Sequence, residues 1–457
     1  MQSTDYQSCT ISELRSLLAK KGGTPANKNK ATLIDELLKI ESGEYQPVRN
    51  NRGRPSGRIQ QDIEVEDDDR QTDFSDPQLD SDFESKEFEP KEEVVTGILE
   101  LNSEGYGFIR VSNFDTSVKD AFIARPTIKR FFLREGDKVT GKACSKRENK
   151  LPEMTDVMLV NDEKPKFVSR PRFDDLTPYY PNSRITLGLT GEVPLRIIDL
   201  FCPIGKGQRG LVVAPPKTGK TTLLKRIAQS VEKFHPEIHL MVLLVDERPE
   251  EVTDFKSCVK GEVISSTFDQ TMEHHLRLSE LCFKRGKALV EAGKDVLILM
   301  DSITKLTRAC NVSVPASGKL LSGGIDPAAL QTAKKFFGLA RNTEAGSLTI
   351  ISTALIDTGS RLDDIVFEEF KGTGNMEITL SRTLAEKRIF PAIDILKSGT
   401  RKDEYLLSDA EISCADKIRR KLSNDERATE TIIGMMEKTK NNDDLISKAD
   451  GWLNLMK

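Results

Sequence analysis

The segment Gly210-Leu-Val-Val-Ala214-Pro-Pro-Lys217-Thr-Gly219-Lys220-Thr221-Thr222 constrains this chain more than any other. A short apolar run enters a loop, the loop ends in Gly-Lys-Thr, and Leu223 and Leu224 continue in a helical pattern. Strand, loop and helix in that order turn backbone N–H groups at the helix start towards an anion, and the helix dipole adds to the attraction. In such a loop Lys220 reaches the β- and γ-phosphates of a nucleotide, and the Thr221 hydroxyl ligates Mg2+. Pro216, Lys217, Thr218, Gly219 and Thr222 supply the remaining loop contacts. The general pattern opens with Gly, whereas Ala214 stands here. Ala is small enough to keep the turn, provided its φ is negative.

Two further apolar runs end in acids. Leu240–Val245 leads into Asp246-Glu247-Arg248, and Val296–Met300 leads into Asp301-Ser302. A carboxylate at the C-terminal end of a buried parallel strand lies where open α/β sheets bind ligands. Asp301 fits the carboxylate that holds Mg2+, through water, and Glu247 fits the group that orients and polarises the attacking water. The alternative is that either acid caps the helix after it.

Around this core the periodicity changes three times. Residues 10–40 carry two short amphipathic patterns, one on Leu14, Leu17 and Leu18 and one on Leu33, Ile34, Leu37 and Leu38. Thr10 or Ser12 can cap the first, Gly22-Gly23 ends it, and a basic loop at Lys28-Asn29-Lys30 joins the two. Residues 1–42 are thus expected as a helical module, serving packing or an accessory nucleic-acid contact. Residues 43–93 lose the hydrophobic pattern; Arg52, Arg54 and Arg58 stand among Gly, Pro and Asn, and an acidic run follows. Such a stretch cannot bury enough apolar surface to offset its ordering entropy, so it is expected as a disordered linker. Residues 94–168 alternate with strand period in five short runs, which suits a small closed barrel of the OB-fold kind. A connector, 169–183, leads to residues 184–457, where strands alternate with helices as in an open α/β sheet with a helical end.

Charge distribution sharpens the expectation about partners. The net charge is −4, but residues 62–93 hold 15 acids against 3 bases, so the remainder carries +8. That remainder is basic enough to meet a polyanion. In the barrel region, Gly105-Tyr106-Gly107-Phe108-Ile109-Arg110 alternates so that Tyr106 and Phe108 share one face, a platform on which bases stack at about 1–3 kcal/mol each. Phe122 and Arg110 are expected companions, and the competing possibility is that Phe108 belongs to the barrel core. The seven cysteines form no C-x-x-C pair, and His235 and His239 are separated by Pro236, which argues against a metal site. No apolar run approaches the roughly 18–20 residues of a membrane span, and the N-terminus lacks the order of a secretory signal, so the chain reads as cytoplasmic.

The strings PIGKGQRGLVVAPPKTGKTTLL, MVLLVDERPEEVTDF, LILMDSITKLTRA, VPASGKLLSGGIDP and EEFKGTGNMEITLSRTLAEKRIFPAIDILKSGTRK, in this order, closely resemble the bacterial transcription termination factor Rho family. The resemblance runs nearly end to end from Val94 and more loosely through the N-terminal helices. It implies a RecA-like ATPase core, a parallel sheet with helices on both faces, preceded by a small OB-fold barrel and an N-terminal helical module. It implies a cytoplasmic homohexameric ring that binds nascent single-stranded, cytosine-rich RNA. ATP and Mg2+ then drive translocation, RNA–DNA unwinding and release of transcripts from RNA polymerase with its elongation factors. It further implies that Arg248 senses the γ-phosphate, that Arg401 is an arginine finger given to the neighbouring subunit, that Arg388 is a second cationic contact, and that Phe390 stacks on adenine. Lys319, in a glycine-flanked loop, and Arg361, where Lys is usual, match RNA contacts lining the ring's pore. Two other readings compete: a DNA-stimulated recombinase or replicative helicase, and a passive RNA-binding protein with a vestigial ATP site. The first leaves GYGFIR and VDERPEEV unexplained, and the intact set Lys220, Thr221, Glu247, Asp301 and Arg401 speaks against the second.

Overall fold

The computed structural model describes residues 10, 14, 17, 18, 30–41, 91–145, 151–423 and 427–455. Ser12, Gly22-Gly23, Arg52, Arg54, Arg58 and most of the acidic run lie outside the described residues. The chain divides into two units, Met1–Glu84 and Ser85–Lys457. In the first, Leu14, Leu18, Leu33 and Leu37 are buried together, with Leu17, Ile34 and Ile40 packed at the edge. Leu38, expected in that stripe, is 51% exposed instead. On the helix Lys30–Glu41 it follows Leu37 by one step of about 100°, which turns it off the face that Leu33, Leu37 and Ile40 share.

The second unit opens with a closed barrel of β1 (Lys91–Leu101), β2 (Gly107–Arg110), β3 (Ala121–Ile123), β4 (Lys138–Ser145) and β5 (Glu153–Val160), in the spatial order β1-β2-β3-β5-β4. Strand pairing starts at Lys91, because Glu92 and Glu93 face Cys144 and Ala143 across the ladder, so the barrel begins three residues before the expected boundary. Val95, Leu99, Ile109, Ile123, Val139 and Val157 alternate inward and fill it. Phe108 is only half-buried and stands outside that core, on the face opposite Ile109. The core alternative for Phe108 is thereby set aside.

The connector is ordered rather than a bare link. Phe173 is fully buried under Lys287 and Arg341, and β6 (Pro178–Tyr179) pairs with β11 (Arg341–Thr343). The main sheet contains β7 (Arg209–Ala214), β8 (Ile238–Glu247), β9 (Glu262–Thr267), β10 (Asp295–Asp301), β12 (Ser347–Leu355), β13 (Met376–Thr379) and β14 (Gly399–Thr400). Its order is β14-β13-β7-β12-β10-β8-β9, with the six strands from β13 to β9 parallel. Strands such as Leu240–Val245 read as unbroken apolar runs because helices cover both faces. The helices Asp409–Lys421, Ala428–Glu437 and Asn442–Leu455 close one side, and buried Arg196 satisfies the carbonyls of Met436, Thr439 and Asn441 there. Among the described residues no helix is long and apolar enough to cross a membrane.

Barrel and sheet share one hydrophobic cluster, which Ile98 and Phe114 enter from the barrel side. Polar contacts reinforce it. Arg277 donates to the Phe114 carbonyl at 3.0 Å, and Asn113 Nδ2 donates to the Ser265 carbonyl at 3.0 Å. Arg285, 1% exposed, donates to the Gly136 carbonyl at 3.3 Å and to Asn161 Oδ1 at 2.5 Å on the barrel, and pairs with Glu262 on β9 at 3.2 Å. Burial works against the Glu262 charge, but His239 and Arg285 outweigh it and hold the carboxyl at about 2. Arg285→Met should therefore destabilise the protein by about 2–4 kcal/mol, because it leaves a carboxylate and two barrel acceptors without their cation. Chemical denaturation checks this. Since Glu262 is depressed when folded, the wild-type advantage is present above pH 4.5 and fades towards pH 2. An unchanged midpoint at neutral pH would contradict the role given to Arg285.

Candidate nucleotide site and nucleic-acid surfaces

The phosphate loop grows directly out of β7. The strand ends at Ala214, whose φ is not positive, and the chain turns through Lys217 (φ 66°) and Gly219 (φ 91°). Gly219 caps the helix Lys220–Phe234 in the left-handed region, which glycine adopts without penalty. The Thr218 hydroxyl closes the loop on the Pro215 carbonyl at 2.7 Å. Leu223, Leu224, Ile227, Ala228 and Val231 bury one face of the helix, fixing its N-terminus over the loop.

Lys220 and Asp301 meet at the C-terminal edge of the sheet. Lys220 Nζ lies 2.7 Å from both carboxylate oxygens of Asp301, which is 1% exposed. Thr353 on β12, the strand between β7 and β10, donates its hydroxyl to Asp301 Oδ1 at 2.7 Å. Burial works to lower the Lys220 ammonium, but Asp301 beside it prevails and keeps it above its ordinary value. Asp301 does not cap the next helix; Ser302 does, with its hydroxyl accepting from Lys305 N–H at 3.2 Å. Likewise Arg248, not Glu247, occupies the cap position of the helix Pro249–Cys258.

Glu247, 6% exposed at the end of β8, faces the same cleft. Burial and then the Asp301 charge raise its carboxyl above the ordinary value, and Lys305 opposes them. Lys305 Nζ lies 2.6 Å from Glu247 Oε2 and 2.8 Å from the Asp246 carbonyl. Thr353 and Lys305 are the contacts that sequence reading missed. Each is remote in sequence from the group it holds, although the i+4 step from Asp301 to Lys305 is visible in DSITK. Beside the loop, a cavity of about 580 Å3 is lined by Thr218, Gly219, Thr222, Phe390 and Ile433 among others. Phe390 is half exposed there, its ring 3.9 Å from where a Gly219 side chain would begin.

The three cationic residues assigned by resemblance divide. Arg248 and Arg388 are exposed, Arg248 directly after Glu247 and Arg388 (φ 61°) two residues before Phe390. Arg401 is exposed past the end of β14, where Thr400 pairs with Met376 and Met376 with Gly210. Gly210 lies at the entry of β7, four residues and roughly 13 Å of strand from Ala214, so Arg401 sits at the far edge from its own phosphate loop.

On the barrel, Tyr106, Phe108 and Phe122 form one aromatic cluster with centroids 5.5–6.0 Å apart. Asn102 holds the Tyr106 hydroxyl at 2.6 Å. Arg110 lies over the Phe108 ring at 4.9 Å and is pinned by Glu100 (2.5 Å) and buried Asp120 (2.8 Å). It stands beside the rings as the companion the sequence suggested, and Asp120, unremarked in the sequence, fixes its orientation. Lys319 and Arg361 are both exposed, and the loop of the first adjoins the helix Arg361–Lys371 that the second opens: a side chain at Gly323 would meet Ile365 at 2.9 Å and the Arg361 carbonyl at 3.2 Å. Thr358 and Arg308 both bind buried Asp363, at 2.6 Å each.

Parallel sheet, phosphate loop, paired acids on adjacent strand ends and a five-stranded barrel define an ATPase of the RecA-like class with an OB-type domain. The comparisons narrow this. Residues 194–400 match the ATP synthase alpha/beta family, nucleotide-binding domain, and residues 95–166 match the Rho termination factor, RNA-binding domain. Transcription termination factor Rho of Bacillus subtilis is 51% identical over 353 residues, 76% of this chain and 83% of that protein. The Escherichia coli factor of the same name is 49% identical over 359 residues, 76% of this chain and 86% of that one. A solved ATPase from a bacterial type III secretion system aligns with a TM-score of 0.53 at 21% identity, covering 68% of this chain and 94% of that one, a likeness of fold alone. The chain belongs to the transcription termination factor Rho family.

The Lys220–Asp301 contact predicts a measurable coupling in the nucleotide-free protein. A double-mutant cycle of Lys220→Met and Asp301→Asn, read by thermal or chemical unfolding, should give an interaction of about 2–3 kcal/mol. Strictly additive effects would contradict the pair.

Proposed function

We propose that the chain is an RNA-stimulated ATPase that terminates transcription by moving along the nascent RNA. The observation that carries this reading is the Lys220–Asp301 pair at the mouth of the phosphate loop, in the same folded unit as a half-buried aromatic platform on an RNA-binding barrel. Residues 94–168 serve as the RNA-binding module and 184–457 as the motor, with 169–183 joining them; residues 1–42 are an accessory helical module and 43–93 a linker.

In this reading the nucleotide phosphates replace Asp301 as the partner of Lys220, while Pro216, Lys217, Thr218, Gly219 and Thr222 cradle them and Phe390 covers the adenine. The Thr221 hydroxyl and the Asp301 carboxylate are hard oxygen donors of the kind that suit Mg2+. Bound there, the ion would neutralise charge on the phosphates. Glu247 accepts the proton of the attacking water, and its raised affinity for protons fits a general base. Arg248 senses the γ-phosphate. Arg401, too far from its own loop, acts on the nucleotide of a neighbouring copy in a homohexameric ring, with Arg388 as a second cation. Bases of single-stranded, cytosine-rich RNA stack on Tyr106, Phe108 and Phe122, with Arg110 held beneath by Asp120 and Glu100. Lys319 and Arg361 touch the RNA backbone in the pore, and the motor unwinds RNA–DNA hybrids and releases transcripts from RNA polymerase.

Two measurements test this. Stalled transcription complexes given the purified protein should release RNA with ATP and not with a non-hydrolysable analogue; Lys220→Ala should abolish release while RNA binding persists. Release without ATP, or none at all, would sink the reading. Separately, Lys305→Met removes the cation that lowers the Glu247 carboxyl, so the acid limb of kcat/KM should move to higher pH. A limb that stays in place would remove Glu247 from the role of base.

A further inference from the structure

At the sheet edge away from the phosphate loop, Asn375 ties two arginines together. Its Oδ1 accepts the Arg209 N–H at 2.9 Å, its N–H donates to the Arg209 carbonyl at 2.9 Å, and its carbonyl accepts the Arg401 N–H at 2.8 Å. Gln208 Nε2 secures the same Oδ1 at 2.7 Å. Arg209 and Arg401 therefore leave neighbouring backbone positions, and both line a cavity of about 910 Å3. Arg341 and Lys402 line it as well, and among the described residues no carboxylate does.

These cations differ in how they are held. Lys402 pairs with Glu404 at 3.3 Å. Arg209 donates to the carbonyls of Thr373 (3.2 Å) and Ala340 (3.3 Å), and Arg341 lies 4.8 Å over the Phe173 ring. Among the described residues neither Arg209, Arg341 nor Arg401 forms an ion pair. Burial, and then Arg341 and Arg401, push the Arg209 guanidinium below its ordinary value, as cations gathered without a counter-charge should be. Glu377 lines the adjoining cavity together with Arg401, but it accepts the Thr379 hydroxyl at 3.1 Å.

An arginine that has to reach a phosphate outside its own chain benefits from finding no carboxylate within it. We propose that Arg209, aided by Arg341, is a positioning residue for Arg401: the cluster offers it no internal partner and, by like-charge repulsion, keeps its guanidinium extended towards a neighbouring copy. This rests on the reading of Arg401 as the group given to the neighbour's nucleotide. The repulsion acts across a partly desolvated cavity, where charges are screened less than in open water.

The test is steady-state ATP turnover of the full chain, saturated with RNA, for Arg209→Lys, Arg209→Met and Arg209→Glu. Lysine keeps the charge and should stay near wild type; methionine should lose a few-fold in kcat. Glutamate gives Arg401 an internal partner and should lower kcat most, towards the roughly 10³-fold or greater loss expected when an arginine finger is removed. KM for ATP and RNA affinity should hold, since the variant's own loop and barrel are untouched. Equal losses for methionine and glutamate would overturn the inference, because a residue that only packs is indifferent to the sign of its replacement. Arg341→Glu, placed across the cavity, should reproduce the kcat-only loss, so a poorly folding Arg209 variant does not end the test. In an Arg209→Glu/Arg401→Ala double variant the effects should not add; additive losses would again overturn it. Full turnover by Arg401→Ala alone would instead sink the finger reading beneath it.

Discussion

The rest of this structure depends on the ion pair between Lys220 and Asp301. Two opposite charges removed from water are costly to hold unless geometry and further hydrogen bonds compensate, and here both are supplied by the order of the strands. β7 delivers Lys220 through a loop whose turn needs Gly219, β10 delivers Asp301, and β12 between them delivers the Thr353 hydroxyl. A register slip of one residue in β10 or β12 would turn its polar group to the other face of the sheet. The pair also sets what a nucleotide has to do. In the proposed reading, phosphate oxygens would take the place of the Asp301 carboxylate beside Lys220, so the ammonium would stay neutralised and that carboxylate would be free to hold Mg2+.

From that pair a chain of contacts runs outward. Lys305 stands one turn beyond Asp301 and holds Glu247; Arg308, one turn further on the same helix, binds Asp363, which also takes the Thr358 hydroxyl in the turn before the helix Arg361–Lys371. The helix Ile303–Ser313 thus ties Glu247, proposed to activate water, to the turn that leads into Arg361, proposed to touch RNA. On the other side, Arg277 and Arg285 tie the barrel to β9 and to the helix Met272–Glu291. Such contiguity is a route for coupling, and its strength is a matter for double-mutant cycles rather than proximity.

What was legible in the sequence follows from how local each signal is. The phosphate loop, the acid-terminated strands and the period-two barrel strands are encoded within a dozen residues each, and all three stand where their patterns placed them. The aromatic platform was half legible: alternation put Tyr106 and Phe108 on one face, but that Asp120 and Glu100 engage Arg110 depends on β1, β2 and the loop before β3 coming together. Leu38 was misplaced because two adjacent apolar pairs a turn apart, Leu33-Ile34 and Leu37-Leu38, do not say which member of each faces inward. Thr353, Lys305 and the Asn375 clamp escaped for a different reason: each acts on a residue tens of positions away, brought close only by the order of the strands.

The proposed motor requires that RNA on the barrel and in the pore drive ATP hydrolysis at Lys220, Glu247 and Asp301. ATP turnover by the purified chain, alone and with cytosine-rich single-stranded RNA, single-stranded DNA or duplex DNA, tests it most directly. Strong stimulation by the RNA only, lost in Lys220→Ala, is the expected result. Equal rates in all four samples would contradict it, leaving an ATPase and an RNA-binding barrel that share a chain without sharing a function.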